Sequence, residues 1–325
     1  MKRKLLISFI ISFITVLGLS VSAQADITTT QVTSNSYNDS FPSINGNYMV
    51  WQGHVNGHWQ IFLYNIDNEE TTRITNNNYD SISPRTDSKY VVWFGACNQG
   101  GEVFQYNIAT GKTTRITNDS NVDSPPRIAG GRVVWASHQV TGSVEPGEIQ
   151  IYDIITGQGD QLTHNQKDDS SPRINSESVI WVQTDVNGDA TLFIYDISEG
   201  TIQELPEGFI LEDNPQTDGN LTVSMWNDGK DWEIYVREDG QNGFEQVTNN
   251  SMNDRYPSTS GNNIAWMGGE GTASEIYVAH YTAVASSLAE FADEFGKTDC
   301  DTCECGYDED NDVDGRDLAM FLQSL

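Results

Sequence analysis

One pattern recurs six times along this 325-residue chain, and a chain built from such units folds by stacking them. Each copy opens on an aliphatic residue, usually followed by Thr: Val32-Thr33, Ile74-Thr75, Ile116-Thr117, Leu162-Thr163, Leu205-Pro206 and Val247-Thr248. The steps between copies are 42, 42, 46, 43 and 42 residues. A polar loop with an Asp leads to Pro42, Pro84, Pro126, Pro172, Pro215 and Pro257. Nine residues after that Pro stand Trp51, Trp93, Trp135, Trp181 and Trp266, whereas the fifth copy has Ser224 there and Trp226 two residues on. A further strand carries Tyr64, Tyr106, Tyr152, Tyr195, Tyr235 and Tyr277.

The local physics is that of β-structure. Runs such as Tyr90-Val91-Val92-Trp93 and Ile149-Gln150-Ile151-Tyr152 are short and rich in β-branched and aromatic residues. Asn56-Gly57, Asn187-Gly188 and Asp228-Gly229 suit tight hairpins. Four short strands in about 42 residues make one propeller blade, which cannot bury its aromatic face alone. The spacing therefore predicts an all-β, six-bladed β-propeller over residues 26–281, with the Trp and Tyr of each copy packed between sheets. The last copy stops after its third strand, and a spare strand, Ile27 to Thr33, precedes the first copy. That strand is expected to complete the sixth blade and close the ring, removing an open edge.

The succession Ile-Thr-x-Asn, Asp-x-x-Pro, Val-Val-Trp, Ile-x-x-Tyr-Asp and Thr-Gly resembles the TolB-type propeller repeat over roughly residues 27 to 281. The third copy states it most fully, from Ile116, Thr117 and Asn118 through Asp123, Pro126 and Trp135 to Tyr152, Asp153, Thr156 and Gly157. The resemblance implies a fold that serves as a protein-interaction platform, as an accessory domain of peptidases and, in some relatives, as a polysaccharide lyase. Fold alone does not choose among these.

The termini carry separate information. Lys2, Arg3 and Lys4 precede an apolar run from Leu5 to Val21, and Ala23-Gln24-Ala25 supplies a small-x-small cleavage site, so residues 1–25 read as a signal peptide. The predicted location is periplasmic or secreted. Without that leader, 14 Lys and Arg face 47 Asp and Glu, a net charge of −33. Such a surface repels nucleic acid and anionic membranes and concentrates cations. Of the four Cys, Cys300, Cys303 and Cys305 cluster, and Cys97 stands apart. A disulfide within the cluster is the first reading in an oxidising compartment, with zinc or redox chemistry behind it.

Residues 282–325 form a distinct acidic segment, predicted as a small helical EF-hand-like module. With Asp317 at loop position 12, Asp308, Asp310, Asp312 and Asp314 fall at positions 3, 5, 7 and 9, which suits calcium. The loop resembles the dockerin kind of EF-hand, with two departures. Gly306 occupies the first ligand position, and Asn311 takes the usual Gly position.

No catalytic constellation stands out. The recurring Asp39, Asp80, Asp123, Asp169, Asp213 and Asp254 read first as turn-forming residues ahead of Pro and second as a ring of carboxylates at a channel mouth. Arg85, Arg127 and Arg173 follow Pro in consecutive copies, either to neutralise those Asp residues or to bind an anionic ligand. His54, His58, His138, His164 and His280 occupy unrelated phases of the repeat. His164 with Arg127 or Arg173 is the pairing a lyase would use. The leading expectation is a non-enzymatic scaffold that binds a protein or a ligand such as a saccharide at a propeller face, with a calcium-ordered docking module for an unidentified partner. The alternative is a carbohydrate-active, lyase-like enzyme working at the channel face.

Overall fold

The computed structural model describes residues 26–97, 100–140, 144–205, 216–218, 221–238, 244–270 and 273–282. The expected acidic module beyond residue 282 and the leader before residue 26 lie outside them. The chain divides into two compact units, one of Thr29–Ala279 and one of Met1–Thr28 with His280–Leu325. The described part is all-β, with strands in six antiparallel sheets.

The first sheet sets the pattern. Its strands are Asp39–Asn45, Tyr48–Val55, His58–Asn65 and Glu70–Arg73, hydrogen-bonded in chain order. Asn56 and Gly57, with φ of 54° and 86°, form the two-residue turn between paired Val55 and His58. Asn tolerates this left-handed backbone and Gly accepts it freely, so the pair matches the twist of the strands it joins. The register of the opening strand shifts between Ser40 and Ser43, and corresponding shifts fall at 82/85, 170/173 and 255/258. Each of these bulges contains the recurrent Pro, which lacks the N–H that an unbroken ladder would require.

Alternation along the second strand sends neighbours to opposite faces of a sheet. Met49 and Trp51 pack with Ala265, Met267, Ile276 and Val278 of the last sheet, while Val50 packs with Val91 and Trp93 of the second. Val92 and Val103 then meet Trp135, and Val134 and Ile149 meet Trp181. Each of these four Trp thus lies against the preceding sheet, and the first sheet lies against the last.

The Thr of the aliphatic-Thr pair has a defined task. Its hydroxyl accepts the backbone N–H of the third strand: Ile61 to Thr75 at 2.8 Å, and Val103 to Thr117, Ile149 to Thr163 and Ile234 to Thr248 at 2.9 Å each. In the last sheet, Ile276 N–H donates to Thr33 Oγ1 at 2.8 Å, and Val32 N–H donates to the Ile276 carbonyl at 2.8 Å. Strand Asp26–Gln31, just before Val32, lies beside Glu275–Thr282 in that sheet. The N-terminal segment therefore completes the last sheet with the bonding used inside every other copy that retains the Thr.

Candidate functional site

Four buried carboxylates follow the repeat. Asp39, Asp123, Asp169 and Asp254 are each at most 4% exposed. Each accepts the indole N–H of the Trp twelve residues on, at 2.9, 3.1, 2.9 and 3.1 Å. A second oxygen takes the side-chain amide of the Asn four residues earlier: Asn35, Asn165 and Asn250 donate to Asp39, Asp169 and Asp254 at 2.6, 2.6 and 2.7 Å. Burial pushes the carboxyls of Asp39, Asp123 and Asp254 up to about 6, against the pull of these bonds.

These contacts correct both readings of the recurring Asp. The four carboxylates fix the Trp rather than cap a turn, and they are buried rather than gathered at a mouth. Asp80 does not belong to the set, because Ser81 stands three residues before Pro84. Asp80 lies one residue earlier and accepts Trp59 N–H at 2.9 Å. Ser81 instead takes the Asn77 amide at 3.0 Å, and Trp93 Nε1 is buried with no acceptor. Asp213 lies outside the described residues.

A row of side chains crosses each sheet from the Trp. Trp51 pairs with Phe62 and then Arg73, and Trp93 with Phe104 and then Arg115. Trp181 pairs with Phe193. The rings stack with centroids 5.7 to 5.9 Å apart, and Trp266 stacks on Tyr277 at 5.7 Å. The ring leaves no room beneath it: a Cβ on Gly53 would lie 2.7 Å from Phe62, and one on Gly95 2.7 Å from Phe104. Ser224 pairs with Tyr235 as Trp51 does with Phe62. Tyr235 and Tyr277 thus occupy the position of Phe62, two residues before that of Tyr64 with which the spacing had grouped them. Trp226 reaches Tyr235 from further along its strand, with centroids 4.8 Å apart.

The third sheet breaks this row. Trp135 faces Gln150, which in turn faces Gln161. Asp119 stands where the other copies have Asn35, Asn77, Asn165 and Asn250, and Asn121 stands where the first two have Tyr37 and Tyr79. In those two sheets the Tyr stacks on the Phe, at 6.1 and 6.5 Å. Replacing wide rings by narrower amides opens a cavity of about 510 Å³, lined by Asp119, Asn121, Trp135, Gln150 and Gln161. The four additional residues of this copy lengthen the hairpin of Arg132–Val140 and Val144–Asp153, and Gln139, Glu145 and Pro146 of that hairpin form one wall.

The lining is polar and acidic, with no Lys, Arg or His among the described residues. Glu148 spans two roles there. One oxygen accepts Asn165 N–H at 2.8 Å, while Oε2 is buried without a partner. Asp123 Oδ2 is likewise unpartnered, since Asp119 cannot donate as Asn does in other copies. The cavity walls therefore offer amides that donate and accept, and one carboxylate oxygen, Glu148 Oε2, that has no donor.

The other sequence candidates do not converge. His164 is exposed and forms no hydrogen bond or ion pair with Arg127 or Arg173. Arg85 and Arg173 each donate to the carbonyl of the Pro before them, at 2.7 and 3.4 Å. His138 lies near the cavity, with Nδ1 3.7 Å from Asp168 Oδ1. Asp308, Asp310, Asp312, Asp314 and Asp317 lie outside the described residues, as do Cys300, Cys303 and Cys305. Among the described residues Cys97 forms no disulfide.

No family model matches the chain, and no curated protein sequence matches it. Solved structures do. An oligogalacturonate lyase in complex with manganese is 11% identical, with a TM-score of 0.53 over 79% of this chain and 96% of that one. TolB from Acinetobacter baumannii is 19% identical, with a TM-score of 0.46 over 64% of this chain and 53% of that one, so the match spans about half of that TolB. The β-propeller domain of the Trilobed protease from Pyrococcus furiosus is 10% identical, with a TM-score of 0.41 over 76% of this chain and 82% of that one. At this level of identity the likeness to the lyase is one of fold.

Proposed function

We propose that the protein is an exported binding scaffold, a six-bladed propeller that takes a neutral, hydroxyl-rich ligand of the saccharide type in the cavity of its third blade. The observation that carries this reading is the row Trp135–Gln150–Gln161. Only there, of the six equivalent positions Phe62, Phe104, Gln150, Phe193, Tyr235 and Tyr277, does an amide replace an aromatic ring. Amides beside an indole, with Glu148 Oε2 short of a donor, suit ligand hydroxyl groups. Carboxylates in the lining and a chain net charge of −30 work against a polyanion.

The packing of the first sheet on the last supports a ring of six blades closed by the N-terminal segment. The leader in residues 1–25 supports export. The spacing of Asp308, Asp310, Asp312, Asp314 and Asp317 supports a calcium-ordered docking module after the propeller.

Calorimetry with neutral oligosaccharides, with uronate oligosaccharides in parallel, tests the ligand class. Neutral saccharide should bind the wild type and not Gln150→Phe, whose ring restores the row and fills the cavity. Undiminished binding by that variant would sink the proposal, and unsaturated products from uronate chains would favour the lyase instead. For the tail, Asp310→Ala should abolish calcium binding at that loop; an unchanged calcium stoichiometry would refute it.

A further inference from the structure

The fifth sheet holds a second acidic group, unrelated to the third-blade cavity and to the C-terminal loop. Strands Leu221–Asn227 and Trp232–Glu238 pair through Asn227 and Trp232, and residues 228–231 form the turn. Asp228 and Asp231 lie in that turn, and Glu233 is the second residue of the returning strand. One carboxylate oxygen from each lies within 4.8 Å of the others. Asp228 is exposed, Asp231 is 8% exposed and Glu233 is fully buried.

Three carboxylates this close repel one another strongly where water is excluded. Existing partners account for two of them. Asp228 Oδ1 accepts the N–H of Lys230 at 2.8 Å and of Asp231 at 3.2 Å, and the Lys230 bond leads in holding its carboxyl below the usual range. Glu233 Oε2 accepts the Thr248 hydroxyl at 2.5 Å, and Oε1 accepts Asn250 N–H at 3.0 Å. Asp231 is different: its Oδ1 is buried with no hydrogen-bond partner.

Equivalent positions in other sheets show how the fold otherwise treats this acid. The first sheet has neutral Gln60 in the place of Glu233. The second has Glu102, which is ion-paired with Arg115. In the fifth sheet Gln246 takes the place of Arg115, so no guanidinium reaches Glu233 from that strand. The third and last sheets keep this acid as Glu148 and Glu275, each with Gln in the place of Arg115, so the fifth sheet is set apart by the turn that adds Asp228 and Asp231 beside it. The nearby Arg255 lies over the Trp232 ring at 5.8 Å and pairs with Glu270 at 3.2 Å. Among the described residues no ion pair forms to Asp228, Asp231 or Glu233.

We infer that Asp228, Asp231 and Glu233 form a calcium site that locks the hairpin of the fifth sheet. An all-oxygen donor set selects a hard cation, and oxygens within 4.8 Å of one another fit around an ion bound at about 2.4 Å from each. The cation supplies the partner that Asp231 Oδ1 lacks and offsets the repulsion among the three groups.

Terbium, a luminescent stand-in for calcium, tests this on the full chain. Trp226 faces Glu233 across the hairpin and Trp232 adjoins it, whereas residues 283–325 contain no Trp. Emission excited through tryptophan is therefore expected from the hairpin, and the Asp310→Ala and Asp231→Asn variants separate that signal from any other site. The expected result is saturable emission, displaced by calcium chloride, unchanged by Asp310→Ala and weakened at least tenfold in affinity by Asp231→Asn. Should that variant not fold, Asp228→Asn in the exposed turn should weaken affinity in the same direction. Absent emission in the wild type, or undiminished affinity in a folded variant, would overturn the site.

Discussion

Trp135 lies opposite Gln150 in the third sheet, where Trp51, Trp93 and Trp181 lie opposite Phe. An aromatic pair of this geometry contributes about 0.5–1.5 kcal/mol beyond its buried area. Gln150→Phe is therefore expected to raise the unfolding midpoint while abolishing ligand uptake, a stability gain at the expense of a binding cavity. Urea unfolding of the purified variant measures the first effect. A large loss of stability would show that the neighbouring polar side chains cannot yield space to a ring.

The buried Asp–Trp pairs differ in one sheet, and this permits an internal comparison. Trp51 donates to Asp39 at 2.9 Å, but Trp93 Nε1 has no acceptor. A hydrogen bond to a charged group contributes about 1.5–3 kcal/mol, and a buried polar group stripped of its partner costs about 1–3 kcal/mol. Trp51→Phe should accordingly destabilise more than Trp93→Phe, by about 1–3 kcal/mol. Chemical denaturation of the two variants provides the difference, and equal losses would mean that the indole bonds add nothing net.

Acidity should stabilise the fold over a defined window. Asp39, Asp123 and Asp254 have folded-state pKa values of about 6, above the ordinary Asp value near 3.8. The folded state then binds more protons than the unfolded chain between about pH 4 and pH 6, so stability from these groups falls as pH rises through that range. The thermal midpoint should be higher at pH 5 than at pH 7.5. Asp39→Asn should flatten part of the dependence, while Asp39→Ala leaves Trp51 and Asn35 unpaired and costs stability at every pH. Below about pH 4 the trend should reverse, because Asp153, Asp185, Asp196 and Asp228 have lowered pKa values.

Closure of the last sheet rests on few atoms. Thr33 Oγ1 accepts Ile276 N–H at 2.8 Å, as Thr75 accepts Ile61 N–H. Thr33→Val leaves that buried N–H unpaired and should cost about 1–3 kcal/mol, close to the cost of Thr75→Val. Removing residues 26–33 should be far worse, exposing the edge of Glu275–Thr282 to self-association. Light scattering alongside unfolding curves would reveal it; a truncated chain as stable and monodisperse as the full one would deny the N-terminal strand its role.

Much of this architecture is legible in the sequence, because Trp51, Trp93, Trp135, Trp181 and Trp266 keep a fixed distance from a Pro that can occupy only a bulge or edge. The Thr of each copy and the spare N-terminal strand are legible for the same reason, since both satisfy backbone groups that every sheet must pair. The buried acid is less so. Asp80 and Ser81 are adjacent, and only a strict count of three residues back from Pro84 reveals that the second copy lacks the carboxylate. The cavity is less visible still. Its signal is Gln150, thirteen residues before Thr163, where Phe62, Phe104 and Tyr235 stand thirteen before Thr75, Thr117 and Thr248. Aligning the copies on Tyr152 hides this, because Tyr235 and Tyr277 then fall in the wrong column. The acidic turn at Asp228 and Asp231 reads as an ordinary hairpin until burial shows which of its oxygens has no donor.

The bond from Ile276 to Thr33 joins residues 243 apart in the chain. Because synthesis runs from the N-terminus, the segment that seals the last sheet is made first and must wait for the sheet it will join. Until then the N-terminal strand has no partner and the last sheet lacks one of its four strands. Completion of the last sheet is thus deferred until Ile276 has been made, and the loop-closure entropy of so distant a pairing must be met before its bonds form.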